Sequence, residues 1–115
     1  MAYQWFVFQA DLEPTLGHEQ AGRRPVLVVS SEPINDAYGV VSVVSITSRK
    51  NNRPARLGEV LEPAGTAGLP TDSFALCYQI RALDKTRLGC VYGELSELGL
   101  QREIMEMLAF CLDIA

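Results

Sequence analysis

Segment 17–25 holds the densest group of chemically functional side chains in the 115-residue chain, in the order Gly17-His18-Glu19-Gln20-Ala21-Gly22-Arg23-Arg24-Pro25. It leads from a glycine-containing loop into an apolar run that begins with proline, and this rigid residue holds Arg24 at the edge of a sheet. A guanidinium is always cationic and forked, which suits it to grip a phosphate and to hold the extra negative charge of a pentacoordinate phosphorane. The alternative interpretation is structural, with Arg23 and Arg24 pairing with nearby acids such as Glu19.

A second charged segment, here named the cationic loop, follows Ile46-Thr47-Ser48 and spans residues 49–56. It contains four cations and no anion, namely Arg49, Lys50, Arg53 and Arg56. The whole chain holds ten basic and fourteen acidic residues, a net charge of −4, which is not typical of a protein that coats nucleic acid with its entire surface. The cationic loop is therefore either a solvated hairpin tip or a local phosphate-binding surface.

Other catalytic and metal-binding patterns are missing from the sequence. One histidine rules out a histidine-rich metal site, and neither a phosphate-binding glycine loop nor a Gly-x-Ser-x-Gly turn occurs. The three cysteines, Cys77, Cys90 and Cys111, lack metal-ligand spacing, so we expect reduced apolar core residues of a cytosolic protein. The apolar runs are too short for a membrane span, and the first residues do not follow the pattern of an export signal.

The hydrophobic pattern predicts that strands position these residues. Short runs rich in Val, Ile, Phe and Tyr alternate with Gly, Pro and Asn, and the length fits one domain over residues 1–115. The predicted strands are 3–10, 25–30, 40–47, 57–62, 73–80 and 88–92. Apolar spacing predicts a helix over 100–114, and Glu32-Pro33 predicts a short helical turn after Ser31. The expected fold class is mainly β, a small antiparallel barrel or twisted sheet capped by a C-terminal α-helix.

Five motifs in order resemble the MazF/PemK family, the endoribonuclease toxins (mRNA interferases) of bacterial toxin–antitoxin modules. They are Gly17-His18-Glu19-Gln20; Gly22 with Arg24-Pro25-Val26-Leu27-Val28-Val29; Ile46-Thr47-Ser48; Gly68-Leu69-Pro70 with Asp72-Ser73; and Gln79-Ile80-Arg81-Ala82-Leu83-Asp84-Lys85 with Arg87-Leu88. The resemblance implies an SH3-like β-barrel of the CcdB/MazF type and a cytoplasmic homodimer. It also implies an endoribonuclease, independent of metal and cofactor, that cuts single-stranded RNA at short sequence motifs and leaves a 2′,3′-cyclic phosphate and a 5′-hydroxyl.

The family's catalytic arginine and threonine fall on Arg24 and Thr47. Because the adjacent 2′-hydroxyl attacks in line, the protein has to supply geometry, charge stabilisation and proton transfer, but no nucleophile. Arg24 would stabilise the phosphorane oxygens and Thr47 would donate a hydrogen bond to the same phosphate, each such donor contributing about 3–4 kcal/mol. Arginine is a poor general acid, so His18 and Glu19 are the candidates for proton transfer. The alternatives are that His18 is an exposed loop residue and that Glu19 orients Arg24 through an ion pair.

The remaining candidates are expected to bind RNA, and they are Gln20, Ser48, Arg49, Lys50, Arg53, Gln79 and Arg81. Gln79 and Arg81 lie two apart on one predicted strand and share a face, from which they would read base edges or backbone, unless Arg81 pairs with Asp84. Ser48 either contacts a phosphate or ends its strand. Tyr38 and Tyr78 either stack on bases or pack against the protein.

Two departures from the family pattern affect these expectations. Trp5 and Phe6 stand where relatives commonly carry a short basic, Gly- and acid-containing segment, which bears on the first strand's edge and on the dimer contact. Leu76 and Tyr78 stand where some relatives carry an Arg and an Asp implicated in catalysis. A mechanism that uses those two groups cannot operate here, so the chemistry falls to Arg24, Thr47 and the loop around His18.

The expected partner besides RNA is an antitoxin with an acidic, largely disordered tail, because an acidic peptide can occupy a phosphate-binding surface. The alternative function is a non-catalytic toxin or adaptor on the same barrel that binds a protein target such as a topoisomerase. A protein-binding barrel has no need for Arg24 and Thr47 beside a cationic loop, so their co-occurrence favours the ribonuclease.

Overall fold

The structure is a computed structural model and describes residues 2–114. The elements follow in the order β1 Phe6–Asp11, β2 Arg23–Val28, α1 Glu32–Ala37, β3 Val40–Ser48, β4 Glu59–Glu62, β5 Ser73–Asp84, β6 Leu88–Glu94 and α2 Leu98–Leu112. The predicted mainly β class with a C-terminal helix is confirmed, and so is the short helix after Ser31. None of the helices within residues 2–114 is long and apolar enough to cross a membrane.

The strands form one antiparallel sheet in the order β4-β5-β3-β2-β1-β6. Its hydrogen bonds do not close into a complete barrel, because β4 and β6 are both edge strands within residues 2–114. The sheet curls instead, and the 3-10 turn Thr66–Gly68 after β4 packs against β6. At Gly68 the backbone has a φ of 75° and a Cβ would collide with the carbonyl of Tyr92, so this close approach requires glycine.

The two faces of the sheet carry two hydrophobic clusters. The first lies beneath α2 and includes Val44, Ile46 and Ile104. The second lies on the opposite face and includes Val41 and Val43. Because alternate residues of β3 enter different clusters, this strand in the interior of the sheet is apolar on both faces.

Several predicted boundaries were wrong by a few residues, for local reasons. Strand β1 begins at Phe6 and not at residue 3, since Trp5 has a φ of 69° and breaks the extended run. Strand β5 runs on to Asp84, because it resumes after an irregularity near residue 80. Cys77 is buried as expected and Cys111 is partly buried, but Cys90 is exposed on the edge strand β6 and is not a core residue.

Candidate functional site

Arg24 and Thr47 lie at the same end of neighbouring strands. The antiparallel register of β2 and β3 pairs Val26 with Ser45, and two further residues along each strand bring Arg24 opposite Thr47. Both therefore share the face of Val26 and Ser45, which is the face of the second hydrophobic cluster. The polar end of this face thus combines a guanidinium with a hydroxyl.

Pro25 explains why the pairing of β2 with β3 does not extend to Arg24. Proline has no N–H to donate, and β2 pairs with β3 only from Val26 onward, although its pairing with β1 extends through Arg23. The backbone of Arg24 therefore pairs with Ala10 of β1. It has no backbone partner in β3, the strand that carries Thr47.

The guanidinium of Arg24 is anchored through one nitrogen. Its Nε donates to the carbonyl of Ala21 at 2.9 Å, and the residue is half-buried. Among residues 2–114, neither Nη atom of Arg24 has a hydrogen bond or a carboxylate within ion-pair distance. The ion pair with Glu19, which was the alternative interpretation, is not formed, because the Glu19 carboxylate accepts instead from the backbone N–H of Leu16 at 2.6 Å. The forked end of Arg24 is therefore available to an anion.

A cavity of about 370 Å³ lies between the loop that joins β1 to β2 and the middle of β5. We name it the loop–bulge cavity, and its polar lining comes from His18, Glu19, Gln20, Ser45, Gln79 and Arg81. Five of these six were candidates from the sequence, and the structure brings them together. Ser45 was missed, although it is a polar residue two positions before Thr47 in an otherwise apolar strand, and that alternation was the available signal.

An irregularity in β5 creates one wall of this cavity. Val43 pairs with Arg81 but Ser45 pairs with Leu76, so residues 77–80 bulge out opposite a single residue of β3. The bulge places Tyr78, which is 53% exposed, and Ile80 in the cavity lining. Gln79 then ties the bulge to the loop, since its Oε1 accepts from Gln20 N at 2.9 Å and its Nε2 donates to His18 O at 3.4 Å.

Arg81 and Gln20 each keep one polar side-chain atom without a partner. Arg81 Nη1 and Gln20 Oε1 are shielded from solvent and have no hydrogen bond within the described part of the chain. The expected alternative for Arg81 was a pair with Asp84, but that carboxylate accepts from the N–H and hydroxyl of Thr86 at 2.9 and 2.7 Å. These contacts lower the pKa of Asp84. Among residues 2–114, no carboxylate lies within ion-pair distance of Arg81.

The cationic loop uses two of its arginines to hold its own shape. Arg53 donates to both oxygens of Glu59, at 2.8 and 3.1 Å, and its guanidinium lies 4.2 Å over the ring of Phe74. Arg49 donates to the carbonyl of Arg53 at 2.7 Å and lies 3.7 Å from the carboxylate of Asp72. The hydrogen bonds between Arg53 and Glu59 raise the pKa of Arg53 and lower that of Glu59.

Lys50 of the cationic loop and Ser48, the last residue of β3, are both exposed. Lys50 has no ion pair among residues 2–114. Neither residue lines the loop–bulge cavity, and nor do Arg49 and Arg53. The candidates therefore divide into the strand-end pair Arg24 and Thr47, the cavity residues, and the cationic loop. Of the two tyrosines considered for base stacking, Tyr78 lines the loop–bulge cavity, while Tyr38 is exposed at the end of α1.

The chain matches one protein-family model over residues 3–113, described as the PemK-like, MazF-like toxin of type II toxin–antitoxin systems. It is 36% identical over 88 residues to a protein of Mycobacterium bovis named Endoribonuclease MazF2, covering 76% of this chain and 77% of that protein. It is 39% identical over 82 residues to Endoribonuclease MazF of Staphylococcus saprophyticus, covering 71% of this chain and 68% of that protein.

Solved structures with the same fold include MazF from Deinococcus radiodurans, with a TM-score of 0.81, 26% identity and coverage of 98% of this chain and 97% of that chain. A mycobacterial endoribonuclease in complex with its cognate antitoxin has a TM-score of 0.80 at 23% identity, covering 100% of this chain and 98% of that one. At that identity the second likeness concerns the fold alone.

Proposed function

The chain belongs to the family of PemK-like, MazF-like toxins of type II toxin–antitoxin systems, and from this premise we propose that it is an endoribonuclease that cuts single-stranded RNA. The observation that carries the proposal is Arg24, whose two Nη atoms have no partner within residues 2–114 at the strand end it shares with Thr47. A protein-binding barrel would have no reason to hold a guanidinium in this way.

The reaction we propose is attack by the 2′-hydroxyl of one nucleotide on its own 3′-phosphate. The new bond joins the 2′-oxygen to phosphorus, the bond to the 5′-oxygen of the next nucleotide breaks, and the products are a 2′,3′-cyclic phosphate and a 5′-hydroxyl. Arg24 holds the phosphorane oxygens through its Nη atoms, and Thr47 donates its hydroxyl to the same group. The nucleophile belongs to the RNA, so positioning and charge stabilisation supply the protein's main contribution.

We assign proton transfer to the loop that joins β1 to β2, and we favour His18 over Glu19. An imidazole can both accept and return a proton in general acid–base catalysis. His18 is exposed and lines the loop–bulge cavity. The Glu19 carboxylate already accepts from Leu16 N, which supports a role in shaping the loop.

RNA on either side of the cut would contact two further surfaces. Gln20, Gln79 and Arg81 would contact a nucleotide in the loop–bulge cavity, and Lys50 with Ser48 would contact backbone phosphates. Arg49 and Arg53 contribute positive potential while their hydrogen bonds shape the cationic loop. The antitoxin's acidic tail would cover the same surfaces, so inhibition should be competitive with RNA. We also propose a cytoplasmic homodimer, with residues 1–115 forming one domain.

The experiment that tests this function compares an RNA with the same RNA carrying a 2′-deoxy nucleotide at the mapped cut, both incubated with the protein in EDTA. Cleavage of the first and not of the second is expected, because the attacking hydroxyl is removed without changing the bases. Equal cleavage of both would exclude the mechanism, and cleavage of neither would leave the non-catalytic alternative, binding of a protein target.

A further inference from the structure

We propose that Gln79 is a positioning residue, whose side-chain amide holds the backbone on both sides of Glu19 and thereby fixes where His18 lies. This role rests on the proposed function, in which His18 transfers the proton. It is separate from the contact of Gln79 with a nucleotide, and the two roles predict different results. The evidence begins with the loop that joins β1 to β2, which carries His18.

Packing does not position this loop. Leu12 at its start is fully buried, but none of residues 13–22 is buried, and Leu16 is 83% exposed. A segment with so few buried apolar contacts opens easily unless other interactions hold it. Hydrogen bonds therefore define where the loop lies.

The base of the loop is held by Glu13. Its Oε1 accepts from Gly22 N at 3.0 Å, and its backbone carbonyl accepts from Arg87 Nη1 at 2.8 Å. Gly22 N belongs to the same peptide group as the carbonyl of Ala21, to which Arg24 Nε donates. The anchor of Arg24 is thus fixed through Glu13, and Arg24 should keep its place without Gln79.

The tip of the loop depends on one side chain. Within residues 2–114, Gln79 supplies the hydrogen bonds that link residues 17–20 to β5, since its Oε1 accepts from Gln20 N at 2.9 Å and its Nε2 donates to His18 O at 3.4 Å. The same Nε2 donates to the Tyr78 hydroxyl at 3.3 Å, which orients the amide. Gln79 reaches the tip because it lies in the bulge of β5, and a bulge redirects the side chains that it carries.

The position of this tip bears on the reaction through His18. His18 is exposed, so packing does not hold its imidazole, and the backbone from which it projects sets its reach. It lines the loop–bulge cavity together with Ser45, which is two residues before Thr47 on β3. Displacement of a catalytic group by about 1 Å can reduce a rate about 10²-fold. Loss of the Gln79 amide should therefore slow the chemical step.

Gln79→Met tests this role, because methionine keeps the length of the side chain and forms neither hydrogen bond. Single-turnover cleavage at saturating protein in EDTA should be about tenfold slower or more. The affinity for a 2′-deoxy-substituted RNA should fall by less than the rate. The matched control is Gln101→Met on α2, since Gln101 is also half-buried and its Nε2 donates to the carbonyl of Leu95 at 2.8 Å. That variant should lose stability without slowing the bound reaction.

A double variant shows whether Gln79 acts through His18. In a His18→Ala protein, Gln79→Met should change the rate by about twofold or less, because two residues that act as one unit do not have additive effects. Equal losses in both backgrounds would overturn the positioning role and indicate direct contact of Gln79 with RNA. A His18→Ala protein as fast as wild type, or a Gln79→Met protein as fast as wild type, would overturn it as well.

Amide hydrogen exchange, measured by NMR, provides a readout that does not depend on cleavage. The N–H of Gln20 should exchange faster in Gln79→Met than in wild type, whereas the N–H of Gly22, bonded to Glu13, should keep its rate. Equal exchange of Gln20 in the two proteins would overturn the inference alone. The absence of cleavage by wild type would overturn the proposed function itself, and with it the catalytic consequence of the Gln79 hydrogen bonds.

Discussion

Arg53 reaches both oxygens of Glu59 with its two terminal nitrogens, at 2.8 and 3.1 Å, beneath the cationic loop. The Glu59 side chain is only 3% exposed, and its Oε1 also accepts from the backbone N–H of Arg56 at 2.7 Å. One carboxylate thus fixes both ends of residues 53–56. The charge of Arg53 is therefore paired within the fold, whereas Lys50 on the same loop has no ion pair among residues 2–114.

Replacing Arg53 with alanine should therefore destabilise the protein measurably, because the shielded carboxylate of Glu59 would lose its partner. The pair also carries a pH dependence. The hydrogen bond from Arg53 lowers the pKa of Glu59 from 4.5, so its stabilisation is present above about pH 4.5 and is lost as the pH falls through the lowered value. Urea unfolding at pH 7 and pH 3 would measure both effects. Lys50→Ala is the matched control and should change neither, and an Arg53→Ala protein as stable as wild type would contradict the assignment.

Lys50→Ala should act on RNA binding and not on stability. An exposed lysine that neutralises one phosphate contributes about one counterion to the salt dependence, so the slope of log affinity against log salt should fall by about 0.7 for single-stranded RNA. Fluorescence anisotropy with a 2′-deoxy-substituted RNA, titrated over a range of salt, would measure it. A slope equal to that of wild type would remove Lys50 from the RNA surface.

Arg24→Ala should reduce the rate of the chemical step by about 10²–10³, the cost of one preorganised donor to a developing anion. Arg23→Ala is the matched control, because Arg23 is the neighbouring residue on the same strand, is exposed and points to the other side. Single-turnover cleavage at saturating protein separates the rate from binding. Equal losses in the two variants would mean that positive charge near β2 matters and that the position of Arg24 does not.

Thr47→Val should lower the same rate by a similar factor, whereas Thr47→Ser should retain most of it. Valine keeps the shape and the β-branching that suit a strand, so the fold is preserved while the hydroxyl is lost. Serine keeps the donor. If the valine and serine variants were equally active, the hydroxyl of Thr47 would have no part in the reaction.

The sequence predicted the elements well because their signals are local. A short run rich in valine and isoleucine identified β3, and three- and four-residue spacing identified α2 to within two residues at each end. The parting of β2 and β3 at Pro25 could likewise be anticipated from the missing N–H. These features depend on neighbours along the chain, which the sequence displays directly.

What could not be predicted depends on residues far apart in the sequence. Arg49 and Arg53 resembled phosphate ligands until the structure placed Asp72 and Glu59 beside them. The bulge in β5, the close contact of Gly68 with β6 and the shielded end of Arg81 are likewise properties of packing. Charge pattern alone cannot distinguish a cation that binds a ligand from one that pairs internally.

The buried carboxyl of Glu62 should make the protein less stable as the pH rises. Glu62 is 1% exposed, neither oxygen has a hydrogen-bond partner among residues 2–114, and the surrounding side chains include Val7, Leu27 and Ile46. Burial, followed by the negative charges of Glu103 and Glu97, raises its pKa from 4.5 to about 8. The thiol of Cys77 also faces it, and burial raises the pKa of that thiol to about 12, so the thiol stays neutral over this range.

Because the folded-state pKa of Glu62 exceeds the unfolded value, its contribution to stability is fully present below about pH 4.5 and declines until about pH 8. At about 1.4 kcal/mol for each pH unit, the decline has an upper bound of about 5 kcal/mol. Glu62→Gln carries no charge at any of these values, so it should flatten the dependence and be more stable than wild type at pH 9. The free energy of unfolding at pH 5, 7 and 9 measures this, with Glu106→Gln, an exposed position on α2, as the control. Parallel pH curves for wild type and Glu62→Gln would show that the carboxyl finds water or a partner in solution, and that the core beneath α2 opens more readily than its packing indicates.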